Sequence, residues 1–594
     1  MNTFFRFIRN ISFPKKQELQ TAVHSFSLKE WVIVSALFTV LTISALLIVN
    51  HLNNYFLVTV PTEGGTLNEG IIGTPRFINP VLAISDADRD LTTLVYSGLM
   101  KKMPSGEVVP DLADHYDISK DLLTYTFTLK DDIFFHDNSR VTAFDVVFTI
   151  NKAKDPVIKS PRGVNWQGVD VTALDEKTVQ FTLKQPYATF LENATIGILP
   201  SHIWKNVPSD EFSFSDFNTN AIGSGPYKIA SVTKSSGIPR YFKLSNFNKY
   251  IFGKPYIQTL GIRVYANEND LVSGFKSGEV TQISSITPEI ATELKKQGYN
   301  IQTTVLPRIF GLFFNQNESH VFTDKNVIKA FNLAIDRNRI VQTVLSGYGV
   351  PIDSPIPVGM IGNNISSSDG NDTTPLQSSS EDAKNILITD GWKAGTDGIL
   401  KKTIIGSKGK KENVQLSFSI ATGDTPELKN ATLLIKEDLE KIGAHVDVSV
   451  LSIGDLNQNV IRPRKYDALF FGEIVNHESD LFAFWHSSQI KDPGLNIALY
   501  ANPKADKLLA DALGAIDEDT RNSKYTQFET ILKNDTPAVF IYSPEFIYAT
   551  DRGVENMAIT HVSIASDRFS GIVNWYMEKD HVWKWFAEKT KIIN

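Results

Sequence analysis

Hydrophobic and polar positions along this chain follow distinct rhythms. From Trp31 to Asn50 the residues read WVIVSALFTVLTISALLIVN, an uncharged run of about twenty. As a helix it is long enough to cross the ~30 Å apolar layer of a bilayer. Further on, Tyr125, Phe127 and Leu129 alternate with threonines, the two-residue period of a strand with one buried face. Between Asp88 and Leu99, the residues Leu91, Leu94, Val95 and Leu99 return at helical spacing and predict a helix. Asp137-Asn138 predicts a turn, because asparagine tolerates the left-handed conformation that turns require. Thr142 then caps a helix expected to carry Phe144, Val147 and Phe148 towards a core.

Charge around the apolar run gives it a direction. Arg6, Arg9, Lys15, Lys16 and Lys29 precede it, and no Lys or Arg follows until Arg76. The positive-inside bias therefore places residues 1–30 in the cytoplasm as a short tail and everything beyond residue 51 outside. A cleaved signal peptide is the rival reading. The run exceeds the usual 7–15-residue signal core, and Val49-Asn50-His51-Leu52 offers no small-x-small cleavage pattern. The expectation is an uncleaved single-pass anchor over 31–50 and a linker over 51–65.

Composition narrows the function. At 594 residues the chain is too long for one core, and a 42% hydrophobic, 21% charged composition describes a folded protein. The net charge of −7 argues against nucleic-acid binding, which needs a basic face to neutralise phosphates. The short basic runs Lys401-Lys402 and Lys408–Lys411 are expected to flank a solvated hairpin tip, and the polar stretch 362–380 to form a surface loop. Cysteine is absent, which excludes a thiol nucleophile, a thiolate metal site, a disulfide and a lipidated cysteine anchor. The eleven histidines show no metal-ligand spacing, and there is no Gly-x-Ser-x-Gly elbow. The reading is of a non-enzyme without cofactor or metal. His136, in the Asp137-Asn138 turn, is expected to fix that turn by hydrogen bonding.

The order of short motifs carries a resemblance. Pro110-Asp111-Leu112-Ala113, Thr124–Lys130, Phe134-Phe135-His136-Asp137-Asn138 and Val141-Thr142-Ala143-Phe144-Asp145-Val146 stand in one block. Gly223-Ser224-Gly225-Pro226-Tyr227, Phe275–Val280, Leu312–Asn315, Asp324–Arg337, Asp382–Trp392, Leu434–Gly443 and Thr536–Tyr542 follow in line. This set resembles the signature of the family 5 extracellular solute-binding proteins, the oligopeptide-, dipeptide- and nickel-binding receptors of ABC importers, over about residues 66–550.

The resemblance implies an α/β, two-lobed periplasmic-binding-protein fold of the large peptide-binding subclass, with a ligand cleft between the lobes. Lobe I would hold 66–314, with an inserted subdomain around 105–220, and lobe II 315–542. Residues 543–594 would return to lobe I, their aromatic tail packing onto it. Chain crossings are expected near Phe314-Asn315 and Ile541–Ser543. The implied function is capture of a peptide or peptide-like solute by hinge closure for delivery to ABC permease subunits, by a monomer. A tethered sensor that feeds no transporter is the alternative.

Ligand contacts implied by position are Ile84, Ser85 and Asp86 before the first helix, Asn315 at a crossing, and Trp392 and Trp485 in lobe II. The strongest candidates are Glu473, Asn476, His477 and Glu478, in a loop where the family's peptide-binding members place an aspartate against the ligand's α-ammonium group. Asn476 occupies that position here. An asparagine accepts a hydrogen bond without neutralising the ammonium, so Glu473 or Glu478 must supply the charge, or a free peptide N-terminus is not what the site reads.

Overall fold

A computed structural model describes residues 21, 24–187, 189–361, 378–405, 411–515, 517–551 and 553–587. The expected cytoplasmic tail therefore lies mostly outside the described residues, as do the 362–380 loop and the tip of the 401–411 hairpin. The chain divides into two units, residues 63–577 and a smaller one formed by residues up to Thr62 with those from Glu578 onwards.

The larger unit is organised by one strand. Ala538–Thr550 is thirteen residues long and almost continuously buried. Two apolar stretches, Ala538–Tyr542 and Phe546–Ala549, give it the cover on both faces that a buried strand requires, and Ser543-Pro544-Glu545 separates them. Its first half pairs antiparallel with Arg308–Phe314, Ala538 facing Phe313 and Tyr542 facing Phe310. Its second half pairs with Asn300–Val305, Glu545 facing Val305 and Thr550 facing Asn300, and with Gln282–Ser284. On the lobe II side, Arg308–Phe314 pairs with Ala468–Ile474, which runs parallel to Ser417–Gly423, itself parallel to His445–Leu451. On the lobe I side, Gln282–Ser284 leads to Gly64–Ile72, Ile257–Tyr265, Ile238–Asn246 and Tyr227–Ser235. One continuous sheet path thus runs through both lobes.

Around the expected first crossing, Leu306 packs with lobe I residues, whereas Ile309, Leu312, Phe313 and Phe314 pack with lobe II residues. On the shared strand, Ser543-Pro544 lies between the half that pairs with Arg308–Phe314 and the half that pairs with Asn300–Val305.

A separate antiparallel sheet of Ala113–Ile118, Thr124–Leu129, Thr178–Leu183 and Val169–Ala173 carries the helix Ala143–Lys154. Tyr125, Phe127 and Leu129 are buried, as their alternation requires. The helix is closed by a capping box in which the Thr142 backbone N–H donates to Asp145 Oδ2 at 2.8 Å. Phe144 points outward, contrary to expectation. The inward stripe is Ala143, Val146, Thr149, Ile150 and Ala153, and Phe144 lies off it.

The first lobe I helix spans Asp86–Val95, shorter than its periodicity suggested. The chain turns extended at Tyr96, and a Cβ on Gly98 would lie 2.6 Å from the Thr195 carbonyl oxygen, so that glycine permits a close approach. His136 ties two motifs together. Its Nε2 lies 3.0 Å from the Gly225 carbonyl and its Nδ1 accepts from the Gly223 N–H at 3.3 Å, which fits a neutral ring. Burial pushes its pKa down to about 4. Asn138 takes the left-handed conformation with φ 71°.

Lys402 departs from the solvated reading of its basic run. Its ammonium pairs with Asp324 at 2.7 Å and with Asp390, which fastens the Leu400–Ile405 hairpin strand to the lobe. The C-terminal region also divides. Phe569, Ile572 and Trp575 join the lobe I core, whereas Glu578–Trp583 pairs with Leu57–Thr62 in the smaller unit. The sequence EKDH in that strand has too few apolar side chains to enter a core.

Arg568 is wholly buried between two carboxylates. It donates to Glu69 Oε1 at 2.9 Å and, bidentately, to Asp90 at 2.7 and 2.6 Å, and Tyr548 of the shared strand donates to Glu69. Arg568→Met should cost about 3–5 kcal/mol, because it strands two buried charges. Adding Glu69→Gln and Asp90→Asn should recover part of the loss. Urea denaturation of the full chain in detergent measures both.

Candidate functional site

The loop that carries Glu473 through Asp480 leaves the Ala468–Ile474 strand. In that strand's register Glu473 faces Ile309. The alternation sends Leu469 and Val475 into a core with Ile309, Phe313, Tyr466, Leu481 and Trp485, and Glu473 shares their parity. Glu473 is 3% exposed and both of its carboxylate oxygens lack a hydrogen-bond partner. Burial pushes its pKa well above the usual carboxylate range. The side-chain oxygen of Asn476 and the indole N–H of Trp485 are likewise buried without a partner. Packing in this core otherwise follows the usual aromatic geometry, with Trp485 5.8 Å from Phe540 and edge-on to it.

The neighbouring charges are already engaged. Glu478 Oε2 accepts from Arg521 Nε at 2.6 Å, so its carboxylate is neutralised within lobe II. His477 pairs with Glu192, which comes from lobe I. Thr189 donates to Ser479 at 3.3 Å beside that pair, and the Asp480 carboxylate accepts from the His477 backbone N–H at 3.0 Å, closing the loop on itself. Burial alone would lower the His477 pKa. The hydrogen bond and charge of Glu192, helped by Asp480 and opposed by Lys102, raise it above the ordinary imidazole value.

The remaining expected contacts are dispersed. Asn315 is buried, with its amide donating to the Arg464 carbonyl at 2.8 Å and its side-chain oxygen accepting from the Asn317 N–H at 3.0 Å. These bonds give it a turn-holding role. Trp392 lies in the lobe II core, its indole N–H donating to Asp324 at 3.4 Å and Lys402 standing 5.8 Å from its ring. Ser85 caps the first lobe I helix through a reciprocal pair of bonds with Asp88, both 3.1 Å. Ile84 beside it is exposed, and Asp86 reaches Arg89 at 3.5 Å. The structure thus gathers Glu473, Asn476, His477, Glu478 and Trp485 into one region and leaves the others apart from it. Glu192, Thr189 and Arg521 were not singled out by the sequence. Each comes from a distant segment with no local signal of its role.

Two α/β lobes on a shared strand, with a charged loop meeting both, define a solute receptor of the periplasmic-binding type. The chain belongs to the bacterial extracellular solute-binding proteins, family 5, whose middle-region model matches residues 107–494. It is 30% identical over 502 residues to the oligopeptide-binding protein AppA of Bacillus subtilis, covering 83% of this chain and 89% of that one. The solved structure of AppA with a nonapeptide matches at 29% identity and a TM-score of 0.61, over 87% of this chain and all of that one. NikZ of Campylobacter jejuni, solved with Ni(L-His), matches at 25% identity and a TM-score of 0.62, over 86% of this chain and 99% of that one.

The His477–Glu192 pair predicts a definite pH dependence. A histidine whose folded pKa is raised contributes stability that is fully present below its unfolded value of about 6.5 and is lost as pH rises through the folded value. The melting temperature of His477→Gln should therefore fall short of the parent at acidic pH and converge on it in the alkaline range. A gap that widens with rising pH would contradict the pairing.

Proposed function

We propose that the protein captures a peptide or peptide-like solute at the outer face of a membrane, to which the helix Leu28–Phe56 anchors it, and passes the solute to ABC permease subunits. It does so as a monomer and without catalysing a reaction. The observation that carries the peptide reading is Glu473. A fully buried carboxylate with no partner is the acceptor that a desolvated ammonium group needs. The family relationship supports the choice of ligand class, since AppA is an oligopeptide-binding protein solved with a peptide in place. Asn476 then contributes a neutral acceptor and Glu473 the negative charge, while Glu478 stays with Arg521.

Mechanism follows from the shared strand. Two adjacent crossings, at Leu306-Pro307 and Ser543-Pro544, let the lobes rotate about one short axis while the rest of each lobe stays rigid. The anchor reading rests on a helix of 29 residues with a capping box at Ser27 and Glu30 and an uncharged middle. At 1.5 Å per residue it spans about 43 Å, ample for a bilayer.

Native mass spectrometry of the full chain released from detergent should show co-purifying peptides; a bound sugar or metal complex would overturn the ligand class. Calorimetry with matched peptides tests the site. Free N-termini should bind more tightly than acetylated ones. Glu473→Gln should weaken free-N-terminus binding by roughly 10–100-fold, as expected for a charge-assisted bond, and leave acetylated peptides nearly unaffected.

A further inference from the structure

The smaller unit has a feature that solute capture does not use. The helix Leu28–Phe56 continues without a break into the strand Leu57–Thr62, and Glu578–Trp583 returns to pair with that strand from Leu57↔Trp583 to Thr62↔Glu578. A short helical turn, Lys584–Ala587, follows. The returning strand is thus fastened to the end of the apolar helix. Trp583 stacks on Phe56 at 6.1 Å with 23° between the rings, and its indole N–H donates to Asn53 Oδ1 at 2.9 Å. Tyr55 meets Phe56 edge-on at 5.4 Å.

These rings remain largely uncovered. Trp585 is 80% exposed, Tyr55 76%, Trp583 48% and Phe56 42%. Polarity changes sharply along the ribbon. Its far end pairs Thr59–Thr62 with Glu578–His581, while the aromatic side chains are confined to the end that joins the helix. The apolar run ends at Asn50, before His51 and the polar pair Asn53-Asn54, which puts Tyr55 and Phe56 about 8 Å beyond it at 1.5 Å per residue. That depth is the headgroup layer of a bilayer, about 5–8 Å thick on each side. Trp and Tyr favour this layer because the ring is apolar and the N–H or O–H can stay hydrated.

We propose that the C-terminal segment around Trp583 and Trp585 is a second membrane contact, seated in the lipid headgroup layer at the outer end of the anchor helix. Tyr55, Phe56 and the two tryptophans form one interfacial aromatic cluster drawn from both ends of the chain. Lys584, between the two tryptophans, presents an ammonium to lipid phosphates. The occupant is phospholipid. This inference rests on the anchor reading, because the ribbon reaches lipid only if the helix is inserted.

The test uses the full chain in vesicles of phosphatidylcholine and phosphatidylglycerol, brominated near the headgroup end of the acyl chains. Trp31→Phe removes the one tryptophan within the apolar run. In that background, lipid bromine should quench a fraction of the emission that falls with Trp585→Ser and disappears with Trp583→Ser/Trp585→Ser. Because Trp583 also braces the ribbon, Trp585→Ser alone decides the outcome if the double variant misfolds. Carbonate extraction runs in parallel. Protein retained in the membrane with quenching unchanged by either substitution overturns this inference and leaves the anchor standing. Protein released by carbonate overturns both.

Discussion

Everything in the larger unit depends on one strand serving two lobes. Ala538–Thr550 must satisfy its backbone groups against lobe II over its first half and against lobe I over its second. A buried strand cannot leave donors unpaired, so the lobes cannot separate without unzipping it. They can only bend about it. The Arg568 network fixes the lobe I end of this arrangement, joining the early strand that carries Glu69, the first lobe I helix through Asp90 and the shared strand through Tyr548. Three segments remote in sequence are held by charges that would be costly to separate in a dry interior.

How much of this was legible in the sequence varied with the range of the interaction. The Tyr125 strand and the Asn138 turn were readable because periodicity and turn chemistry are local. The helix after Thr142 was readable as a helix, and Val147 and Phe148 pack against the core as expected, but Phe144 does not. Phe144 looked like a core residue, and only tertiary packing shows that Ala143 and Val146 face inward. Lys402 was misread because the carboxylates that hold it, Asp324 and Asp390, are distant in sequence or belong to another element.

The candidate site shows the same division. The motif order pointed to the 473–480 loop, but residue type alone left Glu473 and Glu478 equivalent. Arg521 and Glu192 separate the candidates, by engaging Glu478 and His477 and leaving Glu473 without a partner. A charge's availability is set by its neighbours and not by its own identity. Trp392 illustrates the converse, a large aromatic that lies beside Asp324 and Lys402 in a lobe core.

The ribbon of Leu57–Thr62 and Glu578–Trp583 also bears on biosynthesis. Its two strands pair across the whole of the larger unit, and the Trp583 indole reaches back to Asn53 of the helix at a sequence separation of 530 residues. In a chain made from its N-terminus, the first strand emerges behind the apolar helix and waits for residues 63–577 to be made. During that time it presents an unpaired edge, the kind of surface that invites wrong partners. The polar threonines and Pro61 in LVTVPT make that edge a poor template for self-association. Closing the ribbon must then wait for the larger unit, so its pairing marks a chain in which residues 63–577 have already been made.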